Sequence, residues 1–75
     1  MDKLLTYPTP LATRSGCKVS WASYASEALA NQAAEAAMVN ARILERDGYD
    51  FGMQSPGHIE PRTTDNGPLW EVTLP

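Results

Sequence analysis

Between Ser26 and Gly48 the chain carries one amphipathic stretch with no proline or glycine inside it, and this stretch dictates what the rest must build. Ser26 is placed to cap a helix, and Glu27 puts negative charge where the helix dipole is positive. Gly48, after Arg46 and Asp47, supplies a left-handed stop. At about 100° per residue, Leu29, Ala33, Ala36, Asn40, Ile43 and Leu44 fall on one face, with Glu27, Asn31, Glu35, Arg42 and Glu45 opposite. The spacing predicts an amphipathic helix of about 20 residues and about 30 Å. Its inner face is mostly alanine, so its axis can lie close to a sheet.

The flanks read as that sheet. Residues 1–16 form an extended lead-in, because Pro8 and Pro10 forbid helix and hold Tyr7 and Thr9 in extended geometry. Leu4, Leu5 and Leu11 are expected to cover part of the core or to form a short edge strand, and Ser15-Gly16 to turn the chain. Cys17 to Tyr24 alternates, with Cys17, Val19 and Trp21 on one side, Lys18, Ser20 and Tyr24 on the other, and Trp21 as core anchor. Tyr49 to Met53 alternates again, with Tyr49, Phe51 and Met53 toward the core. Ser55-Pro56-Gly57 bends the chain, and His58 to Arg62 is extended. Asp65-Asn66-Gly67-Pro68 is a turn signal, and Leu69 to Leu74 closes a hairpin. The expected architecture is α+β: residues 1–75 as a single small domain, one long helix on an antiparallel sheet of three to four strands.

Composition narrows the function. The chain has 75 residues, 43% hydrophobic and 20% charged, with a formal net charge of −3. Six Lys and Arg against nine Asp and Glu do not make a nucleic-acid binder, since phosphate affinity needs clustered positive charge. Only Arg42 and Arg46 share a helix stripe, and Glu35, Glu45 and Asp47 are interleaved with them. The single cysteine, Cys17, excludes an internal disulfide framework and any multi-cysteine metal site. The start lacks a long apolar stretch and no segment approaches the roughly 18 apolar residues of a membrane helix, so a reducing, cytoplasmic setting is expected.

Catalytic signals are sparse. His58 and Glu60 lie two apart on a strand and so share a face, which could orient an acid–base pair; an ordinary surface ion pair is the better reading. Cys17 beside Val19 and Trp21 reads as a buried, inert strand cysteine. No metal-ligand or phosphate-loop motif is present, so neither enzyme activity, nor metal, nor cofactor is expected. A nucleotide-binding or sequestering alternative would use Tyr49, Arg62 and Trp70, with turn amides on the phosphate. Another is an oligomerisation module joined through sheet edges or a helix face.

Features that suit a protein partner remain. Met38 lies on the outward side of the helix, near Arg42. Glu45, Asp47 and Asp50 form an acidic group around the Gly48 turn, and Asp65 and Asn66 occupy a hairpin tip. Asn40 sits in the apolar face, where its amide needs partners; a hydrogen bond to strand or loop backbone is expected. Exposed strand edges offer a further route to a partner.

The run Gly48-Tyr49-Asp50-Phe51-Gly52-Met53-Gln54-Ser55-Pro56-Gly57, with Val19-Ser20-Trp21-Ala22-Ser23-Tyr24 before an alanine-rich helix, resembles small uncharacterised α+β proteins of phages and mobile elements. The resemblance covers about half the chain and implies a setting rather than any catalytic residue. Phage proteins of this size often block a host enzyme or defence complex by binding it, as anti-CRISPR proteins do. The expectation is a non-catalytic inhibitor of that class, a monomer or small homo-oligomer in the host cytoplasm, occluding a functional surface of a host protein complex. Its contacts are expected at Met38, Arg42, Glu45, Asp47, Asp50, Asp65 and Asn66.

Overall fold

A computed structural model describes residues 3–75. The elements run β1 (Ala12–Ser15), β2 (Ser20–Tyr24), α1 (Glu27–Arg46), β3 (Ile59–Thr64) and β4 (Gly67–Leu74). The four strands form one antiparallel sheet in the order β1-β2-β4-β3, so the last strand fills the slot between β2 and β3. The helix packs on one side of it. This is the α+β architecture expected from the sequence.

The helix begins and ends for the expected reasons. Ser26 has extended backbone angles, and its hydroxyl accepts from the Leu29 amide at 3.4 Å. At the other end the Gly48 amide donates to the Glu45 carbonyl and the Tyr49 amide to the Leu44 carbonyl. This is a Schellman stop, with Gly48 at φ +90°.

The buried stripe is Ala30, Ala33, Ala34, Ala36, Ala37, Asn40 and Ala41, which is rotated from the stripe read off the sequence. Leu29 is exposed, and Ile43 and Leu44 are only half-buried. Alanine therefore makes nearly the whole contact, and the bulk comes from the sheet: Ala22, Tyr24, Val72 and Leu74 pack beneath, with Tyr7, Ile59 and Trp70 around them. Small residues on the helix and larger ones on the strands let the two layers approach closely.

The strand phase also differs from expectation. Ala22 and Tyr24 face the helix, so Trp21, next to Ala22 along the strand, projects to the other side of the sheet. Trp21 is half-buried and packs against a second cluster of Val19, Ala41 and Phe51 near the helix C-terminus. The alternation from Cys17 to Tyr24 misleads because its first members are not strand. Cys17 and Lys18 make the β1–β2 turn, closed by the Gly16 amide on the Val19 carbonyl at 2.8 Å, and Cys17 is exposed.

Tyr49 to Met53 does not form a strand. Gly48 and Gly52 both take positive φ, and the Asp50 carboxylate accepts from the Gly52 amide at 2.8 Å, which curls the segment into a loop. Only Phe51 is buried there; Met53 is fully exposed and Tyr49 is exposed while stacking on Phe51. Gly57 needs its lack of a side chain. It adopts φ +94°, and a Cβ there would stand 2.5 Å from Met38 Cγ. Met38, expected to project outward, is thus half covered by this loop.

The lead-in is held to the helix by Asn40. Its Oδ1 accepts from the Leu5 amide at 2.7 Å, and its Nδ2 donates to the Leu5 carbonyl at 2.9 Å and to the Tyr7 hydroxyl at 2.8 Å. The backbone partner expected for this buried amide is therefore present. The Tyr24 hydroxyl donates to the Pro8 carbonyl at 2.9 Å. The lead-in ends in the edge strand β1, while Leu4, Leu5 and Leu11 remain exposed.

Candidate protein-binding surfaces

The helix covers one face of the sheet and leaves the other open. Alternation from the fully buried Ala22 and Val72 puts Arg14 and Trp21, Glu60 and Arg62, and Glu71 and Thr73 on the uncovered side. With Gln54 and His58 these residues line a shallow concavity of about 260 Å3. At its centre both Arg14 and Arg62 reach the same oxygen of Glu71, at 3.0 Å and 3.2 Å. The Glu71 side chain is only 12% exposed, so this carboxylate is held where two guanidinium groups offset its desolvation. The Arg14 guanidinium also lies over the Trp21 ring, 4.0 Å from its centroid. His58 and Glu60 pair at 3.1 Å on the same face, both well exposed.

A second, more apolar hollow of about 280 Å3 adjoins this face and shares Trp21 and Gln54 with it. Cys17, Phe51 and the fully exposed Met53 also line it. The open face therefore combines a half-buried tryptophan, two partly engaged arginines and an exposed methionine. Sequence reading placed Trp21 in the core and so missed the face. Tyr24 has the opposite parity to Trp21 along the run, and its burial under the helix is what turns Trp21 to the open face.

The residues expected from the sequence to bind a partner do not converge. Glu45, Asp47 and Asp50 are exposed at the C-terminal end of the helix. Asp50 is internally engaged: the Gly52 amide, and then Lys18 at 3.4 Å, hold its carboxyl below the usual range. Arg42 lies in a groove of about 340 Å3 with Lys3, Val39, Ile43 and Arg46. Asp65 and Asn66 are elsewhere. Because β2 ends opposite Trp70, the hairpin tip beyond it projects past the start of the helix, at the other end of the molecule. There Gly67, not Asn66, takes the positive φ, and the Thr64 hydroxyl closes the turn on the Gly67 carbonyl at 2.8 Å.

The nucleotide alternative fares similarly. Arg62 is on the open face, while Trp70 packs against the core from the helix side and Tyr49 spends its hydroxyl on the Lys18 carbonyl at 3.1 Å. The three do not meet around one ligand. Among the described residues, no group of three or more His, Cys, Asp and Glu could hold a metal, and no helix is long and apolar enough to cross a membrane. No protein-family model, curated protein or solved structure matches the chain.

Proposed function

We propose that this chain is a non-catalytic protein-binding protein that meets its partner with the helix-free face of its sheet. One observation supports that choice of face above the others: Trp21 and Arg14 stack on the uncovered side of the sheet, beside a fully exposed Met53. Tryptophan, arginine and methionine are enriched at interface centres, where each buries a large area. The Arg14–Glu71–Arg62 arrangement supports the same reading, because it fixes two long side chains before any partner arrives. A binding role rather than catalysis is supported by the titratable pair on this face. His58 and Glu60 both stand in solvent, where no enclosed site surrounds a reacting group.

The finer proposal is that the partner belongs to a host complex and that docking occludes one of its functional surfaces, in the host cytoplasm. The resemblance to phage and mobile-element proteins is its support. Affinity capture on the tagged chain tests both levels. A host protein retained by the unaltered chain, and lost when Met53→Ala is combined with Arg62→Glu, is the expected result. A partner that ignores those changes but is lost on Glu45→Lys with Asp50→Lys moves the interface to the acidic helix end. Binding heat with a nucleotide panel favours the sequestering alternative instead.

A further inference from the structure

The sheet has two free edges, β1 and β3, and they are built differently. On β3 the Thr73 amide donates to the His58 carbonyl at 3.0 Å, and the register continues Glu60 opposite Glu71 and Arg62 opposite Leu69. Antiparallel alternation then directs the backbone groups of Ile59, Pro61 and Thr63 outward. Pro61 stands at the centre of that free edge with no N–H to offer, between the charged Glu60 and Arg62. Such an edge resists pairing with another strand.

On β1 the Gly16 amide donates to the Val19 carbonyl, and the register places Arg14 opposite Trp21 and Ala12 opposite Ser23. The same alternation directs the N–H and C=O groups of Thr13 and Ser15 into solvent. All four residues of the strand are exposed, and none is proline. Its one charged side chain does not guard the edge, because Arg14 folds back over Trp21 and reaches Glu71, two strands inward. The edge is therefore uncharged and its backbone groups are open.

We propose that β1 pairs with β1 of a second copy, antiparallel about a twofold axis, joining the two four-stranded sheets into one. The edge is self-complementary in the register that sets Thr13 opposite Ser15 of the second copy. That register satisfies the outward N–H and C=O groups of both residues on both chains. It also places a threonine hydroxyl against a serine hydroxyl at each pair, a favourable cross-strand combination. Arg14 falls opposite its own copy. The like charges are drawn apart because each guanidinium is held over its own sheet by Trp21 and Glu71. The contact is isologous, so it closes at a dimer rather than propagating. It also sets the two helix-free faces side by side.

Light scattering on the eluting full chain, from about 1 μM to about 1 mM, tests the pairing. The expected mass rises to twice the 8.2 kDa of one chain. Thr13→Pro copies on β1 what Pro61 does on β3, leaving the β1–β2 ladder intact since the Thr13 N–H is not part of it. This variant is expected to remain at 8.2 kDa throughout. Hydrogen exchange on the unaltered chain provides a readout independent of any variant. The Thr13 and Ser15 amides are expected to slow as concentration rises. A single-chain mass at every concentration overturns the proposal. So does a dimer in which those two amides exchange as freely as in the monomer.

Discussion

Replacing Asn40 with alanine is the sharpest test of how the lead-in is held. Asn40 is 2% exposed and makes three hydrogen bonds, two to the Leu5 backbone and one to the Tyr7 hydroxyl. A net intramolecular hydrogen bond contributes about 0.5–1.5 kcal/mol, and leaving a buried partner unpaired costs more. Here the partners are not stranded, because Leu5 is half exposed and water can take over its amide and carbonyl. The lower half of that range applies, and three bonds give a loss of about 2 kcal/mol. For a domain of this size, 1 kcal/mol moves the midpoint by about 6 °C, so Asn40→Ala lowers Tm by about 12 °C. Circular-dichroism melts measure the shift, and hydrogen exchange at Leu5 locates it. Asn40→Asp should fall between, since it keeps an acceptor for the Leu5 amide but sets an oxygen against the Leu5 carbonyl. A drop below about 3 °C, with the Leu5 amide as protected as before, refutes the clamp, because three bonds of ordinary net worth cannot vanish together.

Two glycines separate backbone strain from crowding. Both Gly48 and Gly57 take positive φ, but a Cβ at Gly48 meets nothing within 4 Å while one at Gly57 meets Met38 Cγ at 2.5 Å and the Ala34 carbonyl at 3.1 Å. Gly48→Ala should cost about 1 kcal/mol, the left-handed penalty alone. Gly57→Ala adds overpacking of about 1–3 kcal/mol, and equal urea midpoints for the two variants would contradict this difference. The third expectation concerns pH: burial, and then the neighbouring Tyr7, raise the pKa of the Tyr24 phenol above its ordinary value. The resulting stability is whole below the unfolded pKa of about 10 and is lost as pH climbs through the folded one. Alkaline melts should show that loss, and Tyr24→Phe should flatten it while also removing the bond to the Pro8 carbonyl.

The helix was legible to the residue because its signals are local: a serine cap, a glycine stop and no breaker between them. The hairpin of β3 and β4 was legible for the same reason, through Asp65-Asn66-Gly67. Two alternating runs misled. Cys17 to Tyr24 contains both a turn and a strand, and alternation alone does not say which parity faces a partner layer. The decision was made by Tyr24 under the helix, a contact between elements rather than a property of the run. Tyr49 to Met53 alternates in hydrophobicity, yet Gly48 and Gly52 impose positive φ on either side of its buried Phe51. The candidate face was hidden for a related reason. Arg14, Trp21, Arg62 and Glu71 are distant in sequence, and only strand order and register bring them together.

The measurement closest to the central claim is the affinity of the captured partner for single-site variants of the folded chain. Arg62 is an exposed β3 side chain whose replacement leaves the Arg14–Glu71 contact in place. Because Arg62→Glu also sets a second carboxylate beside Glu71, circular dichroism must first show the variant folded before its Kd is read. The account requires Kd to weaken at least tenfold for Arg62→Glu, about 1.4 kcal/mol, with Glu45→Lys within twofold of the unaltered chain. An unchanged Kd for Arg62→Glu, alongside a large loss for Glu45→Lys, contradicts it.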